Sequence, residues 1–123
     1  MKPFEWIPGL NLGIEMIDSE HRHLFELYNR AVFANDERFE RDELFQDLMD
    51  YAHKHFTDEE QLMESAGYPD LEPHKSLHRS FVRRVESLRS SPDWQVLDFF
   101  HEWLFRHIMA EDTKIKRFLD SRK

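Results

Sequence analysis

The sequence predicts an all-α fold: an antiparallel up-down-up-down four-helix bundle with an irregular N-terminal arm and a short C-terminal helix. Three observations carry that expectation. Apolar residues recur at helical spacing through four successive segments, and no segment alternates with period two for long. The breakers are only 3 Gly and 5 Pro, and they fall at the edges of those segments. The chain has 123 residues, 40% of them hydrophobic, with 11 Phe and 3 Trp, which suits one core. With no internal repeat, low-complexity tract or Ser/Gly linker, residues 1–123 read as a single domain.

The elements follow in order. Pro3, Pro8, Gly9 and Gly13 mark the irregular arm. A first helix over about 18–37 carries Ile17, Leu24, Phe25, Tyr28 and Val32, with Asp18 as its N-cap. A second, over about 41–65, carries Leu44, Leu48, Tyr51, Ala52, Leu62 and Met63, and Gly67 stands just past its end where a left-handed cap belongs. Pro73 lies in the opening turn of a third, over about 72–89, which carries Leu77, Phe81, Val82, Val85 and Leu88. Ser91-Pro92 reads as an N-cap followed by Pro at the first helical position of a fourth, over about 92–109. That helix carries Val96, Leu97, Phe100, Trp103, Leu104 and Ile108. Ile115, Phe118 and Leu119 in the tail are spaced to dock a last short helix.

Charge and composition exclude several classes of function. With 17 Lys+Arg against 25 Asp+Glu the net charge is −8, which disfavours nucleic acid and anionic lipid as partners. No run approaches the length of a membrane span. The start, MKPFEWIPGL, lacks the apolar region and small-residue cleavage site of a secretory signal, so a cytoplasmic location is expected. Zero Cys removes disulfides, thiolate metal sites and thiol nucleophiles together. Eight His remain, so any chemistry falls to imidazole and carboxylate.

Helical phase places most of those histidines inward. Residues four apart share a face, about 40° out of line. His55 and Glu59 fall in line with Leu48, Ala52 and Leu62, and His74 and His78 with Leu77, Phe81 and Val85. His21 lies between Ile17 and Leu24, and His107 continues the row of Phe100, Trp103 and Leu104. Each helix thus aims at least one imidazole at a common core. His23 and His53 are two residues from His21 and His55 and so point about 160° away, while His101 is six from His107; all three belong on the surface.

An ionised Glu59 on a buried stripe must be paired or bound to metal, and five inward imidazoles are hard to satisfy with hydrogen bonds alone. A metal resolves both, since neutral His and carboxylate are natural ligands. Two ions suit the set better than one, because carboxylates commonly bridge paired ions. Read in order, the chain gives His21, His55-x3-Glu59, His74-x3-His78 and His107-x4-Asp112. Around them stand Trp6 and Gly13, IDSEHRHLF, HFTDEEQLME, GYPD and WLFRHIMAED. This ordered set resembles the hemerythrin family in its bacterial single-domain form, over nearly the whole chain.

The resemblance implies a four-helix bundle holding a non-haem pair of iron ions, with an oxo or hydroxo bridge, that binds O2 reversibly for transport or storage. His74, His78 and His107 would hold one iron, and His21 and His55 the other, which keeps an open position for O2. Glu59 and Asp112 would bridge them. Leu104, Phe56, Trp103 and Ile108 would wall the O2 pocket, although helix packing accounts for Phe56 equally well. Glu60 is either solvated or a partner to a nearby His N–H. Five imidazoles beside two carboxylates donate less negative charge than the carboxylate-rich sets of di-iron oxygenases, which favours a carrier over an oxidase, with an O2-consuming enzyme as recipient. A sensor acting through a partner, an enzyme acting on peroxide or nitric oxide, and an iron store are the alternatives. One local irregularity is required. His107 and Asp112 are five apart, about 140° on a regular α-helix, so a widened turn or break is expected near Met109–Glu111.

Overall fold

A computed structural model describes residues 5–33, 38–88 and 90–122 of the chain. The fold is all-α. Among the described residues there are the four long helices of a four-helix bundle, a short fifth helix and no strand. The long helices are α1 (Glu15–Phe33), α2 (Arg38–Ala66), α3 (Leu71–Ser87) and α4 (Asp93–Arg106). A π-helical turn, His107–Asp112, leads from α4 into α5 (Thr113–Ser121), and a single 3-10 turn, Pro8–Leu10, lies in the arm. By compactness the chain divides into Met1–Thr57 and Asp58–Lys123, a boundary inside the unbroken α2. Pro3, residues 34–37 of the expected first helix, the Leu44 side chain and residue 89 lie outside the described residues.

In the first unit the arm is fixed before the helix begins. The Trp6 ring meets Phe25 edge-on at 5.2 Å, and its indole N–H donates to Asn11 Oδ1 at 3.2 Å. Asp18 is not the N-cap that the sequence suggests. The helix starts three residues earlier, at Glu15, and Asp18 sits buried in its first turn. There its carboxylate accepts the backbone N–H of Leu12 at 2.8 Å and of Gly13 at 3.0 Å. The carboxylate therefore holds the incoming segment of the arm, where Gly13 turns at φ +79°. Negative charge in the first turn, from Glu15 and Asp18, also complements the helix dipole. Ile17, Leu24, Tyr28, Leu48 and Ala52 are buried, as their spacing requires.

The second unit opens with the end of α2. Gly67 takes φ +72°, the left-handed conformation expected of it. Its N–H donates to Glu64 O at 3.1 Å and the next N–H, of Tyr68, donates to Met63 O at 2.9 Å, the paired bonds of a Schellman cap. The buried face of α2 then runs through Glu59 to Met63, leaving Leu62 half-buried at its edge; Leu77 is likewise at the edge of the α3 face formed by His74, His78, Phe81 and Val85. Phe81 joins α3 to α4, packing at 5.2 Å from Phe100 and 4.5 Å from Trp103. Pro92 has extended backbone, ψ 146°, so it is itself the N-cap, and α4 begins one residue later than Ser91-Pro92 suggests.

The irregularity forced by His107 and Asp112 is the π turn. At about 4.4 residues per turn, five residues come back to within about 50° of the starting face. Thr113 follows the wide turn, and its hydroxyl donates to Met109 O at 2.8 Å. Tyr68 packs on Phe118 at 5.4 Å, and Arg122 donates to the carbonyl of Ala66, so α5 is tied to the end of α2.

Asp18→Ala should destabilise the protein by about 2–3 kcal/mol, because the buried Leu12 N–H loses a charged acceptor. Urea unfolding measures it, and a loss within about 0.5 kcal/mol, the range of an ordinary surface change, would refute the role assigned to the carboxylate.

Candidate metal centre

All seven residues picked out as ligands from the sequence are buried: His21, His55, Glu59, His74, His78, His107 and Asp112, none more than 5% exposed. In the first unit, α1 carries His21 and α2 carries His55, their rings edge to face with centroids 4.6 Å apart. The Nδ1–H of His55 donates to Oε1 of Glu20 at 2.9 Å. A carboxylate only accepts, so the proton is fixed on Nδ1 and the Nε2 lone pair is left for a metal. Glu20, one residue before His21, is itself buried, and Lys54 Nζ holds its other oxygen at 2.9 Å.

In the second unit, three elements bring five donors together. Glu59 comes from α2, His74 and His78 from α3, His107 from the start of the π turn and Asp112 from its end. His107 Nε2 lies 3.1 Å from both His74 Nε2 and His78 Nε2. Asp112 Oδ1 is 3.2 Å from both His74 Nε2 and His107 Nε2. Glu59 Oε1 stands 2.7 Å from His74 Nε2 and 3.3 Å from His78 Nε2. His78 gives its Nδ1–H to Glu60 Oε2 at 2.7 Å, which again reserves Nε2. The side chain of Trp103 lies parallel to the His107 ring at 4.3 Å and restricts its rotation.

This spacing fits a metal ion. Two donors at right angles, each about 2.1–2.2 Å from one ion, stand about 3.0–3.1 Å apart. Imidazole nitrogens aimed at each other at 3.1 Å need a bridge between them, a hydrogen-bonding proton or a metal ion. Without an ion, protons supply it. Burial alone would lower the pKa of His74, but hydrogen bonds to Asp112 and Glu59, with their charges, outweigh it and raise the value to about 9. For His107 the burial effect is overcome by the charge of Asp112 and its hydrogen bond, then by Glu59, and the value reaches about 10.

The other residues singled out from the sequence fall as follows. Leu104, Ile108 and Phe56 are buried, and Trp103 is half-buried. Phe56 lies with its ring 5.9 Å from that of His55, and Trp103 lies on His107. His23 and His53 are exposed, though His23 packs on the Tyr51 ring at 4.2 Å. His101 departs from expectation: it is half-buried, because it follows buried Leu97 by one turn of α4. Sequence phasing missed Glu20. Its signal was weak, an acidic residue directly before an inward His, and only the fold brings it to His55.

The chain matches the hemerythrin family, described as the hemerythrin HHE cation binding domain, over residues 12–119. The bacteriohemerythrin of Stenotrophomonas maltophilia is 36% identical over 115 residues, covering 87% of this chain and 75% of that protein. That of Clostridium acetobutylicum is 35% identical over 125 residues, covering 90% and 97%. The myohemerythrin of Sipunculus nudus is 30% identical over 114 residues, covering 93% and 92%.

The raised imidazole pKa values set a pH dependence for metal-free protein. Unfolded His releases its proton near 6.5, whereas folded His74 and His107 hold theirs to about 9 and about 10. Their contribution to stability is complete below about pH 6.5, declines as the pH rises, and is absent once both have titrated. The urea midpoint of metal-free protein should therefore fall between pH 6 and pH 10, and metal-loaded protein, with an ion in place of those protons, should lose less. A metal-free midpoint that rises over that range would contradict the proton-for-metal exchange.

Proposed function

This chain belongs to the hemerythrin family, and from that premise we propose that it is a carrier or store that binds O2 reversibly at a non-haem centre of two iron ions. The observation that supports this reading most directly is the convergence of three Nε2 atoms and two carboxylates in a fully buried place. Nitrogen-rich sets with carboxylate suit iron, and no side chain here could hold O2 reversibly by itself. Bound in this centre, iron would supply the electrons that O2 takes up on binding and returns on release.

In this reading His74, His78 and His107 hold one ion, and His21 and His55 the other. Glu59 and Asp112 serve both. The placement of His55 and Glu59 one turn apart on α2 supports that sharing, since one rigid helix then serves both ions. Glu20 and Glu60 fix the tautomers of His55 and His78 and raise their basicity as ligands. Trp103 holds the His107 ring in place. Leu104, Ile108 and Phe56 exclude water from the O2 side, which slows loss of the bound gas in oxidised form.

Residues 1–123 act as one domain in this proposal, in the cytoplasm, with an O2-consuming enzyme as recipient. No described helix is long and apolar enough to cross a membrane.

The test is optical. Iron-loaded protein should be nearly colourless when reduced, gain a visible charge-transfer band with O2, and lose it when O2 is removed. One equivalent of zinc with no iron, irreversible bleaching at first exposure, or steady O2 consumption with a reductant would each overturn the carrier reading. In the same cycle, Leu104→Ala should keep its iron, release O2 faster and oxidise faster, at a cost of about 2–5 kcal/mol in stability. Unchanged O2 kinetics, matching the core control Leu48→Ala, would limit Leu104 to helix packing.

A further inference from the structure

Lys54 is one residue before a ligand, yet 59% of its side chain is exposed. Its Nζ nevertheless reaches the buried carboxylate of Glu20, at 2.9 Å from Oε2. The other oxygen of that carboxylate takes the proton of His55 Nδ1, also at 2.9 Å. One carboxylate is therefore gripped from two sides, by an ammonium on the solvent side and by an imidazole within. The ammonium is itself seated, 5.6 Å from the centroid of the Tyr51 ring, in a groove that it shares with His23 and Leu27.

We propose that Lys54 is a positioning residue for the metal centre: through Glu20, it sets how strongly His55 donates to its iron. The inference rests on the assignment of His55 as an iron ligand. A carboxylate that accepts an imidazole N–H pushes electron density into the ring and makes the other nitrogen a better donor. A cation on the second oxygen draws part of that charge away and fixes the plane of the carboxylate. Lys54 thus moderates the push and keeps it constant. Without it, Glu20 polarises His55 more strongly, the ferric state gains, and the reduced protein oxidises more readily. The exposed position makes this control adjustable by substitution, because Lys54 can change without opening the core.

The experiment compares Lys54→Gln and Lys54→Arg, each in the wild-type and the Glu20→Gln background. Two quantities are read: the reduction potential of iron-loaded protein, and the solvent exchange of the His55 Nδ1–H resonance in cobalt(II)-loaded protein. Lys54→Gln should lower the potential and speed that exchange severalfold, and Lys54→Arg should restore both. In the Glu20→Gln background, Lys54→Gln should add nothing, because the carboxylate that transmits its effect is gone. Glu20→Met, which likewise removes the carboxylate, replaces Glu20→Gln should that variant lose iron. An equal shift of potential in both backgrounds would show a through-space charge effect and overturn the proposal, as would no shift in either. Wild-type protein that holds no pair of iron ions, or a His55→Ala variant that keeps both, would instead defeat the ligand assignment, and the inference with it.

Discussion

The structure depends on one constraint: imidazole nitrogens and carboxylates are brought face to face where water does not reach. His74, His78 and His107 present Nε2 atoms to one another at 3.1 Å, around oxygens of Glu59 and Asp112. The carboxylates of such a cluster are costly as bare buried anions. Positive charge among the donors, from protons or a metal ion, offsets that cost. Apolar packing then serves the cluster as much as the fold, since Phe81, Trp103 and Ile108 keep the donors where water would otherwise compete for them.

A second layer of carboxylates decides which nitrogen faces inward. Glu20 on His55 and Glu60 on His78 each claim an Nδ1–H, so the choice of tautomer is made before any ion arrives. The two carboxylates differ in setting. Glu20 is buried and braced by an ammonium, whereas Glu60 is about a quarter exposed. The two units therefore hold their histidines through carboxylates in different surroundings, although the chemistry of the bond is the same.

Most of this was legible because the relevant signals were periodic. Four-residue spacing on long helices put His55 with Glu59 and His74 with His78 on their apolar faces, and the five-residue gap to Asp112 demanded the wide turn that is found at His107–Asp112. Helix starts were less legible. Asp18 has the chemistry of a cap, but a short polar side chain in a first turn can equally hold the chain that precedes it, and here it does. Ser91 lost its place to Pro92 because the cap is defined by backbone angle, which composition does not state. Glu20 was hidden for a different reason. Its partner is 35 positions away, and nothing in the local pattern of α1 announces a long-range bond.

The wide turn after α4 answers to two masters. It brings Asp112 to the histidines, and it also sets the angle at which α5 leaves, with Ile115 buried. Ordinary α winding over the same five residues would turn Asp112 about 140° from His107 instead of about 50°. Asp112 would swing off the donor cluster, and Ile115 would leave the interior in the same motion. Winding in this segment is therefore far more constrained than identity. Met109 and Ala110 face solvent and tolerate exchange of side chain, but with five steps from His107 to Asp112 the wide winding is set by the geometry at both ends.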